Sequence, residues 1–466
     1  MLPAMSAQKA QKKLHIKTWG CQMNVYDSQR MADVLAPLGY AETAEIADAD
    51  VVILNTCHIR EKATEKVFSE LGRMRVHKRA KEKQGGKMAF AVAGCVAQAE
   101  GAEILRRDKN VDMVVGSQAY HQLPEMIANW ERSNGTARII NTEFPVEPKF
   151  DHLPAAQARG ASAYIAVQEG CDKFCSFCVV PYTRGSEYSR PAADIIAEVK
   201  TQIAHGAREV NLLGQNVNAW HGDGLDGKIW DLGTLMFHLA EINGLDRIRY
   251  VTSHPNDMHE MLYRAHGEIP QLMPYLHLPI QNGSDKILAA MNRKHTQDSY
   301  RRIIDRMRGI RPDMAFSSDF IVGFPGETDE DHRATMEIVD YVGYAAAYSF
   351  KYSRRPGTPA AKAGKQVLED IKDIRLQELQ KKLYADQTKF NTAKLGATFP
   401  VLFDSRGKRE GQLQGKSPWL QSVNVIAPER LLGQIVEVKI IEATQNSLTG
   451  EVVTVAPQVS PAAHAA

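Results

Sequence analysis

Apolar and polar positions alternate regularly along the first third of the chain. Apolar runs of strand length lie at 14–20, 50–55, 87–93 and 111–115, and stretches with helical spacing separate them. The first helix is predicted to begin near Asp27 and Ser28, which are plausible caps, and to end near Gly39. Strands that alternate with helices predict an α/β domain with a doubly wound parallel sheet.

The middle of the chain repeats this pattern six times. Its strand-like runs lie at 162–168, 209–213, 247–252, 276–280, 315–322 and 346–352. Helical patterns separate them, including those at 193–205, 296–309 and 329–342. Six strand–helix units are too few for a closed eightfold barrel, so they predict a partial (β/α)6 barrel. In such a barrel the chemistry belongs at the carboxyl ends of the strands.

The last part of the chain changes to a different pattern. A long helical stretch at 368–394 is followed by short alternating runs at 399–403, 423–426 and 435–442, with turn residues between them. This predicts a small β-barrel of about five strands, an architecture that often binds RNA. The expected domains are 13–145, 157–390 and 395–457.

The composition is that of an ordinary globular protein. Apolar residues make up 44% of the chain, charged residues 24%, and the net charge is +2. Such a balance gives no global argument for nucleic acid, so local patches must supply it. The first fourteen residues lack the apolar core of a signal peptide, and no run has the length of a membrane span. The cytoplasm is therefore the expected compartment.

Three of the six cysteines lie within eight residues. Cys171, Cys175 and Cys178 have the spacing Cys-x-x-x-Cys-x-x-Cys, and three such thiolates can bind three irons of a cubane iron–sulfur cluster. The fourth iron then stays open to a small molecule. A zinc site would want four ligands, disulfides would need an oxidising compartment, and buried structural cysteines are usually scattered.

The other three cysteines are dispersed in sequence, but each follows a predicted strand. Cys21, Cys57 and Cys95 come one or two positions after the first, second and third runs. The carboxyl ends of parallel strands meet at one edge of a sheet, which is where ligands bind in open α/β folds. The pattern indicates a second cluster with an open iron. A zinc site with a fourth ligand elsewhere would look similar.

Polar and glycine residues recur at the predicted strand ends of the barrel. Each taken alone is equally compatible with a turn or a cap. Phe177, just before the last cysteine, either stacks on a bound ring or packs the loop. The candidate cofactor contacts are Phe177, Gly214, Gln215, Asn216, Ser253, Gln281 and Asp319.

Several motifs carry a resemblance to a known family. The spacing of Cys171, Cys175 and Cys178 resembles the signature of the radical S-adenosylmethionine (SAM) enzymes. The whole chain resembles the methylthiotransferases among them, of the MiaB type, and its C-terminal module looks like their TRAM domain. The segments that carry this resemblance are 20–24, 55–63, 94–98, 170–185 and 352–358.

The resemblance implies addition of a methylthio group to carbon 2 of isopentenyladenosine at position 37 of tRNA, beside the anticodon. It implies two [4Fe-4S] clusters, one on each cysteine trio, and two molecules of SAM per turnover. The cluster on Cys171, Cys175 and Cys178 would give one electron to SAM and generate a 5′-deoxyadenosyl radical. The cluster on Cys21, Cys57 and Cys95 would hold the sulfur. Besides the tRNA, a one-electron reductant and a sulfur source are implied as partners. The protein is expected to be a monomer that does not associate with membranes. No catalytic residue is predicted beyond the cluster ligands.

Other functions compatible with the sequence differ in substrate or in class. Within the family, the substrate is alternatively threonylcarbamoyladenosine in tRNA or an aspartate of a ribosomal protein. A non-catalytic iron–sulfur protein that only binds RNA is the remaining alternative. Basic residues that are either solvated surface or phosphate contacts are Arg75, His77, Lys78, Arg79, Lys81 and Lys83 near 60–79, and Arg406, Lys408, Arg409 and Lys416, with Trp419, at the C-terminus.

Overall fold

The structure, a computed structural model, describes residues 11–58, 63–145, 147–157 and 159–453. The described part of the N-terminal domain contains the strands β1 (Lys12–Trp19), β2 (Tyr40–Glu42), β3 (Val51–Thr56), β4 (Ala89–Gly94), β5 (Met113–Val115) and β6 (Ile139–Asn141). Its helices are α1 (Gln22–Leu35), α2 (Ala63–Lys83), α3 (Cys95–Glu100), α4 (Ala102–Arg107) and α5 (Leu123–Arg132). The strands form one parallel sheet in the order β2-β1-β3-β4-β5-β6.

The centre of this sheet is buried on both faces. Every residue of β3 and β4 is buried, and alternate side chains enter two separate cores. Val51 and Ile53 pack into one core, while Val52 and Leu54 pack into the other. A strand covered by helices on both sides reads as a continuous apolar run, which is why the sequence pattern identified these strands correctly.

The start of α1 differs from the prediction. The helix begins at Gln22 with Cys21 as its N-cap, so Asp27 and Ser28 lie inside it and are buried. The Asp27 carboxylate accepts a hydrogen bond from Arg184 of the next domain instead of capping a helix. Residues 60–62, where the charged helix over 60–79 is predicted to begin, lie outside the described residues.

The middle domain contains the predicted partial barrel. Its described strands are β7 (Ser162–Ala166), β8 (Gln168–Glu169), β9 (Tyr188–Ser189), β10 (Glu209–Leu213), β11 (His221–Asp223), β12 (Ile229–Asp231), β13 (Arg247–Tyr250), β14 (Tyr275–His277), β15 (Ala315–Val322) and β16 (Ala346–Lys351). Its helices are α6 (Val180–Arg184), α7 (Ala192–Ala204), α8 (Leu232–Ala240), α9 (Glu260–Glu268), α10 (Asp285–Ala290), α11 (Gln297–Ile310) and α12 (Asp329–Val342).

Six of these strands are parallel and line the barrel. They pair as β7-β10-β13 and as β14-β15-β16, and an isolated parallel bridge joins Ile248 to Leu272 between the two groups. The short pairs β8/β9 and β11/β12 are antiparallel additions. The carboxyl ends of the six parallel strands therefore meet at one end of the barrel.

The C-terminal part is a long helix followed by a closed barrel. The helix is α13 (Glu369–Thr392), and the strands are β17 (Thr398–Arg406), β18 (Gln412–Lys416), β19 (Ser422–Ile426), β20 (Ile435–Ala443) and β21 (Leu448–Val452). They close in the order β17-β18-β19-β21-β20. Among the described helices, none is long and apolar enough to cross a membrane.

The small barrel docks on the middle domain through arginines at the start of β13. Arg247 donates to the carbonyls of Pro400 and Lys416, and Arg249 donates to those of Ser417 and Pro418, all at 2.8 to 2.9 Å. Trp419 is part of this junction. Its Nε1 donates to the Asp313 carbonyl at 2.8 Å, and its ring packs edge-on against Phe399. Trp419, which the sequence analysis groups with possible surface contacts, is therefore half-buried in this junction.

The basic residues of α2 are largely used within their own domain. Lys78 is buried and pairs with Asp112 at 2.5 Å, and Lys81 pairs with Asp50 at 2.8 Å. The end of α2 leads into β4, so these residues lie at the sheet edge opposite the cysteines. The interpretation of Lys78 as a phosphate contact was wrong, because burial and its own carboxylate partner remove it from the surface.

Candidate functional site

The three dispersed cysteines lie at one edge of the N-terminal sheet. Trp19 pairs with Thr56, and Thr56 pairs with Gly94, so β1, β3 and β4 end at the same level. Cys21, Cys57 and Cys95 follow these ends by one or two residues each. Cys21 is exposed, whereas Cys57 and Cys95 are buried. Residues far apart in sequence are therefore brought together by register alone.

Two glycines allow the cysteine loops to approach each other. Gly20 has a φ of +139°, and a Cβ there would lie 2.5 Å from the Cys57 Cβ. Gly94 has a φ of +83°, and a Cβ there would lie 2.3 Å from Asn55 Oδ1. Asn24 connects the loop of Cys21 to the end of β3. Its Oδ1 accepts a hydrogen bond from the Cys21 backbone N–H at 3.4 Å, and its Nδ2 donates to Asn55 Oδ1 at 3.3 Å.

Replacing Gly94 by alanine is expected to disrupt this edge. The new methyl group would clash with Asn55 in a backbone conformation that L residues avoid, at a cost of about 2 kcal/mol of folding free energy. The measurements are urea unfolding and the iron content after anaerobic reconstitution. Gly85→Ala is the matched control, because Gly85 also has a positive φ of +78° but has open space around it. Equal iron loss in both variants would contradict the steric argument.

The electrostatic environment favours a thiolate at one position of this group. A hydrogen bond from Cys57 lowers the pKa of Cys21 to about 6, assisted by the charge of Arg184. Burial raises the pKa of Cys95, although Arg184 acts in the opposite direction. The thiolate is the form that binds a metal.

The clustered cysteines lie in the loop between β8 and α6, at the carboxyl end of the barrel. The Cys178 backbone N–H donates to the Cys175 carbonyl at 2.9 Å, and that of Cys171 donates to the Gly185 carbonyl at 3.2 Å. N–H groups also point at the sulfurs. The Val180 backbone N–H donates to Cys178 Sγ at 3.4 Å. Burial raises the pKa of Cys171 to about 11 and that of Cys178 to about 12.

A residue that the sequence analysis missed lies against this loop. Arg293 Nη1 donates to Cys175 Sγ at 3.6 Å, and its other terminal nitrogen donates to the Pro279 carbonyl at 2.5 Å. The side chain is 5% exposed. It follows α10 in a loop with no periodic pattern, so no signal in the sequence singled it out. A buried cation beside thiols favours their charged, metal-binding form.

The donor chemistry of both groups fits an iron–sulfur cluster. Each group consists of three thiols. In the clustered group N–H donors are directed at sulfur, and such hydrogen bonds are among the features that tune cluster potentials. In the described part of the chain, no three His, Cys, Asp or Glu side chains are arranged as ligands of a single metal ion. A cubane cluster does not need such an arrangement, because each of its thiolates binds a different iron.

The candidate cofactor contacts fall into two classes. Gly214 and Gln215 support the cysteine loop: Gln215 Oε1 accepts from the Gly170 backbone N–H at 2.6 Å, and a Cβ at Gly214 would lie 2.5 Å from Gln168 Oε1. Asn216 Oδ1, Ser253 Oγ and Gln281 Oε1 are different. Within the described residues, these three buried oxygens have no hydrogen-bond partner. They lie near the ends of three neighbouring strands, so they fit the polar groups of a bound cofactor.

Phe177 and Asp319 are placed less directly. Phe177 is half-buried and packs against a small apolar cluster that includes Phe324 and Tyr352. Asp319 lies inside β15 rather than at its end, and its carboxylate is 3.7 Å from His277 Nε2. The structure brings Asn216, Ser253 and Gln281 to the end of the barrel where the cysteine loop lies, and the Gln281 backbone N–H donates to the Asp319 carbonyl at 3.0 Å.

Buried neutral histidines also line this region. The rings of His254 and His295 meet edge-on with centroids 5.7 Å apart, and burial lowers the pKa of His254 to about 2 and that of His295 to about 4. Elsewhere in the barrel core, burial lowers the pKa of His266 to about 3, and its Nε2 lies 2.7 Å from the Tyr250 hydroxyl. These rings stay neutral in the folded protein at neutral pH.

The depressed histidine pKa values predict loss of stability in mild acid. The unfolded chain binds protons below about pH 6.5, whereas folded His266 does not until about pH 3, so stability is lost as pH falls through this window. His266 alone is expected to cost about 2 kcal/mol between pH 7 and pH 5. Urea unfolding at both pH values measures this. In His266→Asn the difference should shrink by that amount, and an unchanged difference would contradict the assignment.

A buried ion network joins the two cysteine groups. Arg184 Nη2 donates to Asp27 Oδ2 and Nη1 donates to Glu169 Oε1, both at 2.6 Å, and Lys149 Nζ donates to Glu169 at 2.7 Å. All four side chains are at most 3% exposed. Ser117 Oγ and Gln118 Nε2 donate to the carbonyls of Thr183 and Arg184, which adds a second link between the domains. The network fixes one group relative to the other.

Comparison with protein families identifies three regions. Residues 13–116 match the model described as "Uncharacterized protein family UPF0004", residues 165–339 match the radical SAM superfamily, and residues 392–453 match the TRAM domain. The three matches follow one another along the chain in the same order as the three structural parts. The parallel sheet, the partial barrel and the closed small barrel therefore each correspond to a recognised domain.

Comparison with solved structures shows the fold. The radical S-adenosylmethionine methyltransferase TsrM from Kitasatospora setae, with tryptophan and a SAM analogue bound, has 14% identity and a TM-score of 0.54, with 76% of this chain and 75% of that chain covered. The same enzyme with cobalamin and a [4Fe-4S] cluster has 13% identity and a TM-score of 0.53, over 87% and 81%. The cobalamin-dependent radical enzyme OxsB, with aqua-cobalamin and SAM bound, has 9% identity and a TM-score of 0.51, over 80% and 56%.

Proposed function

We propose, from the premise that the chain belongs to the MiaB-type methylthiotransferases of the radical SAM enzymes, that it adds a methylthio group to carbon 2 of isopentenyladenosine at position 37 of tRNA. The premise rests on the order of the three matched domains. The substrate and the position modified are the proposal.

One observation carries the proposal: the chain holds two separate groups of three cysteines and links them through buried ion pairs. Cys171, Cys175 and Cys178 lie at the carboxyl end of the barrel, and Cys21, Cys57 and Cys95 lie at the edge of the neighbouring sheet. When bound, a [4Fe-4S] cluster in the barrel supplies the electron that cleaves SAM, and one in the sheet offers an iron for sulfur. A C–H bond on an adenine ring is not acidic enough for an ordinary base, which calls for such chemistry.

The residues of the chain bind and orient the cofactors. Asn216, Ser253 and Gln281 present the unpartnered buried oxygens, which suit the amino and hydroxyl groups of SAM. Gln215 holds the cysteine loop through Gly170. Burial of Cys175 beside Arg293 keeps bulk water from that part of the site.

The RNA partner is proposed from the C-terminal barrel and from exposed charge near the site. Arg354 follows β16 at the carboxyl end of the barrel and is exposed. Burial lowers the pKa of His58, and the charge of Arg355, the residue after Arg354, lowers it further. Arg355 therefore lies close to His58. His58 follows Cys57 directly, so Arg355 lies near the group formed by Cys21, Cys57 and Cys95. A tRNA would be held mainly by such phosphate contacts, with its target base unstacked.

Mass spectrometry of tRNA tests the substrate. In cells that lack this gene, the methylthio form of isopentenyladenosine is expected to disappear and its unmodified precursor to accumulate. Expression of the intact chain restores the product, and expression of Cys171→Ala does not. Unchanged methylthio-isopentenyladenosine in the deletion strain would reject the substrate. Loss of methylthio-threonylcarbamoyladenosine, or of a modified ribosomal aspartate, would assign one of the other substrates.

A further inference from the structure

Arg184 links the elements that carry the two cysteine groups. It ends α6, the short helix that follows Cys178, and its side chain is 3% exposed. Its two carboxylate partners belong to different domains: Asp27 lies on α1, whose N-cap is Cys21, and Glu169 ends β8, two residues before Cys171. One guanidinium therefore contacts an element of each group.

The charge of Arg184 also acts on the thiols at the sheet edge. It lowers the pKa of Cys21, and it opposes the increase that burial causes in the pKa of Cys95. The helix α3, which begins at Cys95, packs against α6. The charges around Arg184 are balanced, because Asp27 and Glu169 face Arg184 and Lys149 in the buried network. Binding a cluster on three thiolates adds negative charge to this balance, directly beside the guanidinium.

Arginine is suited to this position for geometric reasons. Its planar fork donates in several fixed directions at once and stays charged when buried. Its Nη1 donates to Glu169 and its Nη2 donates to Asp27, so one side chain holds both carboxylates. A lysine would keep the charge and lose part of the fork.

We propose that Arg184 is a positioning residue of the sulfur-transfer reaction. It holds the first cysteine group (Cys21, Cys57 and Cys95) in place relative to the second (Cys171, Cys175 and Cys178), and it keeps a positive charge beside the cluster that the first group binds. The inference rests on the proposed function, since it takes Cys21, Cys57 and Cys95 as cluster ligands. Reduction adds an electron to the cluster, and a neighbouring cation stabilises the more negative form. Arg184 therefore raises the reduction potential of the first cluster.

The test measures that potential in the full-length chain. The parent variant carries Cys171→Ala, Cys175→Ala and Cys178→Ala, so that only the first site can bind a cluster, and the potential is obtained by titration with dithionite followed by electron paramagnetic resonance. In this background, Arg184→Gln is expected to shift the potential to more negative values. Asp27→Asn removes a negative charge and is expected to shift it in the opposite direction. Arg184→Lys should stay near the parent.

The outcomes separate positioning from a purely structural role. An unchanged potential in Arg184→Gln, with only folding stability reduced, would make Arg184 a structural link and overturn the inference. If Arg184→Gln does not fold, Asp27→Asn decides, and an unchanged potential there overturns the inference as well. A parent that binds no iron contradicts the two-cluster function itself, before any variant at Arg184 is compared.

Discussion

Replacing Cys21, Cys57 and Cys95 together by alanine is expected to reduce methylthiolation to background while reductive cleavage of SAM continues. The barrel and its cysteine loop belong to another domain with its own core, so the loss at the sheet edge leaves that site assembled. The measurement is the release of 5′-deoxyadenosine and of methylthiolated tRNA by the reconstituted enzyme with dithionite.

The reciprocal variant is the matched control. Replacing Cys171, Cys175 and Cys178 by alanine is expected to remove both products, because the electron for SAM comes from that site. The prediction fails if the first variant still methylthiolates tRNA, since the sheet-edge cysteines would then have no part in the reaction. It also fails if the second variant still cleaves SAM.

Removing Asp27 is expected to destabilise the protein more than almost any other single substitution of a charged residue. Asp27→Ala leaves Arg184 buried with only Glu169 as its direct carboxylate partner, and breaking a buried pair in this way costs about 3–5 kcal/mol. Urea unfolding of the anaerobic protein measures the loss. Glu103→Ala breaks an exposed pair with Arg106 and should leave the unfolding midpoint unchanged. Equal effects of the two variants would show that the buried network does not stabilise the domain junction.

The fold was predictable wherever strands are long and buried. The limits of β10 and β15 agree with the apolar runs, because side chains on both faces of these strands are covered. The strands β2 and β6 were not predicted. Each has only three residues and lies at an edge of the sheet, where so short a segment shows no period. The start of α1 was misplaced because Asp27 has the residue type of a cap but serves in an ion pair.

The site was predictable as far as it depends on strand ends. Register alone brings Cys21, Cys57 and Cys95 together, and the sequence pattern contains that register. The contacts of Arg184 and Arg293 could not be predicted in the same way. Arg184 and Asp27 are 157 positions apart and join two domains, so their meeting depends on how the domains dock. Arg293 reaches Cys175 from a loop with no repeating pattern.

The iron content of the anaerobically reconstituted protein tests the central claim most directly. With two four-iron clusters, the intact chain is expected to bind about eight irons, and each of the two triple cysteine variants is expected to bind about four. About four irons in the intact chain, with the value unchanged when Cys21, Cys57 and Cys95 are replaced, would contradict the second cluster.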